Sequence, residues 1–223
     1  MDHLALIIGN KNYSSWSLRP WLLLKHFDIP FEEIRIPLYR PDSQEALRTL
    51  SPSGLVPTLI HGDLKIWDSL AICEYSQELF PSQAMWPRDR EARGVARSIS
   101  CEMHSGFGAI RNHMPMNCKK SFPGKGLNAE SDSEITRVQK IWRECRTKYG
   151  KKGPMLFGGF TIADAMFAPL ALRFNTYKVE LDEISEDYVA AILGLPELKE
   201  WVAAACLESE VLPQFEPYEK IPG

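Results

Sequence analysis

The sequence predicts an α/β domain joined to an all-α domain. A mixed four-stranded sheet with helices is expected over residues 1–82, and an all-helical region over 88–223. Three observations carry this. Short apolar runs alternate with helical stretches as far as Leu79. The segment Pro81-Ser82-Gln83-Ala84-Met85-Trp86-Pro87 then reads as a linker. Beyond it, every periodic segment has helical spacing.

Leu4 to Ile8 reads as a buried strand, and Arg19 to Phe27 as a helix with Pro20 in its first turn, where a missing N–H costs nothing. Phe31 to Leu38 reads as a strand, and Pro37 within it, unable to donate to a ladder, places it at a sheet edge. Gln44 to Leu50 is a short helix. Val56 to Ile60 and Leu64 to Trp67 flank His61-Gly62-Asp63 as a hairpin, and Ser69 to Leu79 is a helix stopped by Pro81. Helices between successive strands imply parallel pairing, and the hairpin implies antiparallel pairing.

After the linker, Arg88 to Met114 reads as one long helix carrying Val95, Ile99, Met103 and Phe107 at helical spacing. Pro115 to Ala129 reads as a loop. Ser133 to Tyr149 is amphipathic, Thr161 to Phe174 is apolar enough to be buried, and Ser185 to Leu193 and Pro196 to Leu207 are further helices.

Composition narrows the function. The 223 residues carry 26 basic and 29 acidic side chains, a net charge of −3 that makes no electrostatic case for nucleic-acid binding. Apolar runs fall well short of the roughly 18 residues that suggest a membrane span. Met1 to Tyr13 lacks the basic start of a signal peptide. Cys73, Cys101, Cys118, Cys145 and Cys206 are scattered, with no C-x-x-C, so reduced thiols in a cytoplasm are expected rather than disulfides or a metal site.

Three stretches point to a site. In Asn10 to Lys25 a strand ends, Ser14, Ser15 and Ser17 form a hydroxyl-rich turn, and a helix begins. Helix N–H groups and hydroxyls there favour a nearby anion such as a thiolate, although capping alone also accounts for the serines. In Ser51 to Leu59, Val56-Pro57 opens a strand and leaves the Val56 backbone free to pair with a ligand's backbone; an ordinary loop-to-strand proline is the plainer account. Asp68-Ser69 precedes a helix: Ser69 reads as the N-cap, and Asp68 beside it can hold an ammonium group.

Taken in this order and spacing, the stretches resemble the cytosolic glutathione transferases over essentially the whole chain. The likeness is strongest to the zeta class, whose members include maleylacetoacetate isomerases. It implies a thioredoxin-like N-terminal domain, a helical C-terminal domain, a homodimer, and glutathione as co-substrate with no metal. In Ser14-Ser15-Trp16-Ser17-Leu18-Arg19 the class's serines and arginine are kept and its cysteine is replaced by Trp16. The resemblance makes Ser14 the hydroxyl that stabilises the glutathione thiolate, with Ser15 as runner-up. It implies a cis Val56–Pro57 bond that pairs with the cysteinyl backbone, and Asp68-Ser69 as the γ-glutamyl anchor. The class's basic residue before its Val-Pro is absent, since Ser53-Gly54-Leu55 stands there. Arg40 is the candidate for the glycyl carboxylate. Thr161-Ile162-Ala163-Asp164 resembles the family's capping box, with Phe160 as a hydrophobic staple.

The electrophile, small and hydrophobic or carboxylate-bearing, is expected between the domains. Trp16, His104, Phe107, Arg111 and His113 are candidates to line its pocket, with core packing, solvation or a surface ion pair as their plainer roles. The main expectation is conjugation of glutathione to small electrophiles, as in detoxification. The alternatives are glutathione-dependent cis–trans isomerisation and a non-catalytic glutathione-binding module. A thiol–disulfide oxidoreductase needs a cysteine at the helix start, and none of the five lies there.

Overall fold

A computed structural model describes residues 3–219. The first part runs β1 (Leu4–Ile8), α1 (Ser15–His26), β2 (Glu32–Arg35), α2 (Pro41–Leu50), β3 (Thr58–His61), β4 (Leu64–Trp67) and α3 (Ser69–Leu79). The sheet order is β2-β1-β3-β4, with β1 and β2 parallel and β1–β3 and β3–β4 antiparallel. As Pro37 implies, β2 lies at an edge, though it ends at Arg35, before the proline. β1 is central. Its Leu6, Ile7 and Ile8 are fully buried, each worth roughly 1.5–3 kcal/mol.

The helical part follows as α4 (Arg90–Ser105), α5 (Gly108–His113), α6 (Ala129–Tyr149), α7 (Ile162–Tyr177), α8 (Glu183–Gly194) and α9 (Pro196–Leu207). α7 is its axis: all but one of its residues are buried. The capping box holds it in place. Asp164 accepts the Thr161 amide at 2.8 Å, the Thr161 hydroxyl at 2.9 Å and the Leu156 amide at 3.0 Å. Phe160 stacks on His26 of α1, at 4.1 Å between centroids. The apolar core is continuous across both parts. Leu6, Trp21 and Leu59 of the sheet side belong to one cluster with Trp142, Phe167 and Trp201 of the helical side, and only Ile7, Ile36 and Leu47 form a second.

Three expectations are corrected, and the linker between α3 and α4 is packed against the core. α1 begins at Ser15, four residues ahead of Arg19, because the Ser14 side chain accepts the Ser17 amide as an N-cap; Pro20 therefore lies inside the helix. The long helix from Arg88 is two helices. Its first part ends at Ser105, and Phe107, at φ 59°, starts the second. Met85 and Trp86 are buried within the linker, and the Met85 carbonyl accepts the Ile162 amide at 2.8 Å. The N-cap of α3 is Asp68 rather than Ser69: Asp68 Oδ1 accepts the Leu70 and Ala71 amides at 2.9 and 3.2 Å.

Candidate active site at the start of the first helix

β1 delivers the chain to a turn at Asn10–Ser14, and the site is built there. Gly9 has no room for a side chain: a Cβ would lie 2.6 Å from Leu38 Cδ1 and 3.3 Å from Val56 Cγ2. That close approach sets the Val56–Pro57 bond, which is cis, beside the turn. Among the described residues, no hydrogen bond takes up the Val56 N–H or C=O, so the backbone pairing the sequence suggested remains open to a ligand.

The serine hydroxyls are wired differently from one another. The Ser14 hydroxyl donates to Ser17 Oγ at 2.7 Å, and Ser17 Oγ also accepts the Gly9 amide at 3.1 Å. Ser17 thus ties the helix to the strand, while Ser14 is the cap. Ser15 Oγ accepts from Arg173 Nη2 of α7 at 3.1 Å, which leaves its own proton uncommitted. Tyr13 is not available as a hydroxyl donor. It is buried and its hydroxyl donates to Glu216; desolvation and that carboxylate raise its pKa above the ordinary value.

Trp16 and three arginines form the wall facing the helical part. The Arg19 and Arg111 guanidinium carbons lie 4.3 and 4.8 Å from the Trp16 ring centroid. Arg19, fully buried, donates to Ser69 Oγ at 3.3 Å. Arg111 bonds only backbone carbonyls, those of Met103, His104 and Gly106 at the end of α4 and just after it. Arg173 donates to the Met114 carbonyl at 2.6 Å as well as to Ser15. Among the described residues, no carboxylate forms an ion pair with any of the three. Burial, followed by repulsion from neighbouring guanidiniums, lowers the pKa of Arg19 to about 9 and of Arg173 to about 10. Burial also lowers that of Arg111. Asp68 and Glu134 offset Arg19 and Arg111 only from beyond ion-pair distance, so positive charge is concentrated next to the serine turn. Sequence reasoning named Arg111 as a pocket residue and missed Arg173, which lies on a helix read only as core.

The remaining candidates divide. Asp68 is at φ 75° and uses Oδ1 for its cap, while Oδ2 meets His104 Nε2 of α4 at 3.0 Å. His104 also contacts Trp16 edge-on, at 5.2 Å between centroids. Of the Asp68-Ser69 pair, Asp68 is accessible and Ser69 is fully buried. Phe107 is buried in the core. His113 stays outside the cluster, its carbonyl taken by the Tyr218 hydroxyl at 2.7 Å. Arg40, just before α2, is half-exposed and lies 3.6 Å from Glu210. Burial pushes the thiols of Cys118 and Cys145 up to about 12 and raises that of Cys73 too, so none of these three is a poised nucleophile. A cavity of about 540 Å³ lined by Leu4, Phe31, His61 and Phe80 lies at the opposite end of β1 from the serine turn. No helix among the described residues is long and apolar enough to cross a membrane, and no cluster of metal-ligating side chains is present among them.

A sheet of this topology with a cis proline beside a capped helix defines a thioredoxin-like fold, here followed by an all-helical part. The chain belongs to the glutathione S-transferase family. Residues 13–79 match the model of its N-terminal domain, and residues 128–204 that of its C-terminal domain. The maleylacetoacetate isomerase of Mus musculus is 36% identical over 174 residues, covering 75% of this chain and 76% of the relative. Glutathione S-transferase Z1 of Arabidopsis thaliana is 36% identical over 186 residues, covering 77% and 80%. Among solved structures, a bacterial zeta-class maleyl pyruvate isomerase superposes with a TM-score of 0.70 at 20% identity, over 93% of this chain and all of that one.

Proposed function

We propose that this chain is a glutathione-dependent cis–trans isomerase of a small conjugated, carboxylate-bearing substrate, of the maleylacetoacetate isomerase type. Conjugation of glutathione to simple electrophiles is a lesser activity of the same site. The observation that carries the choice is the set of three guanidiniums around Trp16 and Ser15 without a carboxylate partner. A detoxifying pocket for apolar halides gains nothing from buried unpaired cations, whereas a substrate carboxylate pairs with them in charge-assisted bonds. The named relatives support the same reading.

In this reading the cysteinyl backbone of glutathione pairs with Val56, and its ammonium meets Asp68 Oδ2. Ser69 supports that end through Arg19, and Arg40 exchanges Glu210 for the glycyl carboxylate. The thiol has an ordinary pKa of about 8.5. At the start of α1 the Ser14 hydroxyl turns its proton from Ser17 to the sulfur, and helix dipole and hydroxyl together favour the thiolate. The thiolate adds to the conjugated double bond, and the electron pair moves onto the substrate carbonyl as an enolate, beside Arg173 and Arg111. The former double bond is now single and rotates. Collapse of the enolate expels the thiolate and restores a trans double bond, so glutathione is regenerated. A homodimer in the cytoplasm is part of the proposal.

The test compares isomerisation of maleylacetoacetate with conjugation of a generic aromatic halide, both with glutathione. Isomerisation is expected to be the faster, and Ser14→Ala to lower kcat while glutathione affinity is kept. Turnover of the halide alone, or isomerisation independent of glutathione, refutes the reading. An unchanged pKa of bound thiol in Ser14→Ala removes Ser14 from its role.

A further inference from the structure

We propose that residues 208–219 form a strap whose glutamates, Glu208 and Glu216, are positioning residues for the serine turn. They reach it from the far end of the chain, outside the two segments that match the family models. The inference deepens the reading above, because it takes Ser14 as the thiolate's partner.

The turn cannot hold itself. The Tyr13 and Ser14 amides bond back to the Asn10 carbonyl, at 3.2 and 2.8 Å, but the amides of Lys11 and Asn12 point outward. Both are taken by one carboxylate: Glu208 Oε1 accepts from Lys11 at 2.7 Å, and Oε2 accepts from Asn12 at 3.1 Å. That carboxylate is almost wholly buried, at 6% exposure. Two adjacent amides closing on a carboxylate fix a local backbone conformation. One residue on, Glu216 accepts the Tyr13 hydroxyl at 2.5 Å, Asn117 Nδ2 at 3.2 Å and Lys120 Nζ at 2.7 Å. Phe215 stacks on the Tyr13 ring, and the Leu212 amide donates to the Tyr13 hydroxyl at 3.4 Å. Thus three consecutive residues ahead of Ser14 are clamped by the strap. The Val56 and Asp68 anchors lie on other elements and do not touch it, and the third, Arg40, meets the strap only at Glu210, which neither variant below changes. Loosening the strap therefore disturbs the hydroxyl at the sulfur while leaving tripeptide binding in place.

The experiment uses the full chain carrying Glu208→Ala or Glu216→Gln. Three quantities are read: amide hydrogen exchange over Lys11–Ser17, the pKa of bound glutathione from its thiolate absorbance, and kcat against glutathione affinity. Both variants are expected to exchange faster over the turn, to raise the bound-thiol pKa and to lose about tenfold in kcat, with affinity retained. Exchange at the parent rate overturns the proposal, as does faster exchange with thiol pKa and kcat unmoved. Should Glu208→Ala not fold, Glu216→Gln, which keeps its shape, carries the same test. A parent enzyme that leaves the thiol pKa of glutathione unshifted refutes the Ser14 reading instead, and the exchange rates still decide whether the strap fixes the turn.

Discussion

Replacing Arg173 by methionine separates charge for substrate from charge for folding. The fold holds this guanidinium at a cost. Its pKa falls from 12.5 to about 10, chiefly through burial, which amounts to roughly 3 kcal/mol against the charged form. Its hydrogen bonds to the Met114 carbonyl and Ser15 Oγ offset this, at roughly 1.5–3 kcal/mol each for a charged donor. Methionine fills most of the volume, removes the penalty and leaves one carbonyl unpaired. The two sides nearly cancel, so a loss of about 1–2 kcal/mol is expected in urea denaturation, below the ~3–5 kcal/mol of a broken buried ion pair. Activity behaves otherwise. A substrate carboxylate loses a charge-assisted partner, and kcat/KM for the isomerisation drops about 100-fold, near 3 kcal/mol. A dicarboxylate such as fumarate should raise the melting temperature of the parent and not of the variant. Isomerisation at the parent rate in a folded Arg173→Met refutes the assignment, and a collapse in stability far beyond 3–5 kcal/mol makes the residue a structural one.

Further outcomes follow from the same contacts. Asp68→Ala removes the proposed ammonium anchor and, with it, the α3 cap. Calorimetry should show glutathione bound about tenfold more weakly, and denaturation a loss of about 1 kcal/mol; equal affinity takes Asp68 out of the site. Asp164→Ala strands the Leu156 and Thr161 amides and the Tyr188 hydroxyl in the core. It should cost roughly 3–9 kcal/mol by denaturation, at about 1–3 kcal/mol per buried group, with little change in the kcat of the protein that remains folded. Burial alone would raise the Glu216 carboxyl, but the bonds from Lys120 and Tyr13 outweigh it and bring it down from 4.5 to about 2. A depressed carboxylate contributes stability above its unfolded pKa and loses it as pH falls towards its folded one. Protection of the turn amides in the parent, exchange being taken relative to the intrinsic rate at each pH, should therefore fall below pH 4.5, and Glu216→Gln should lack that component.

Much of the fold was legible because its signals are local. The hairpin shows in His61-Gly62-Asp63, β4 and α9 have the expected bounds, and Thr161-Ile162-Ala163-Asp164 caps α7 as read. Where local chemistry allows two answers, the reading went astray. Asp68 and Ser69 are both good caps, and only the Asp68 backbone at φ 75° distinguishes them. Pro20 suits a first turn, yet the Ser14 cap starts the helix earlier and the proline is carried inside. The break after Ser105 had a signal in Gly106 and Gly108, which periodicity across Met103 and Phe107 overrode. The serine turn, Val56-Pro57 and Asp68 stand out by order and spacing, while the cis bond followed only from the family resemblance. Arg173 and Glu216 do not stand out. Each reaches the turn across more than 150 residues of chain, and nothing in an apolar helix or a terminal segment says which distant hydroxyl it will meet.

Trp16 stands where the zeta pattern has a thiol, and the exchange has a chemical consequence. Oxidants and alkylating agents reach such a cleft through its sulfur, but here they meet an indole flanked by cations. No thiol at that position is then open to alkylation or oxidation, and the exposed thiols among the described residues, Cys101 and Cys206, lie on α4 and α9. The same ring, set between Ser15 and His104, gives the cleft a built-in fluorophore whose emission will register what enters.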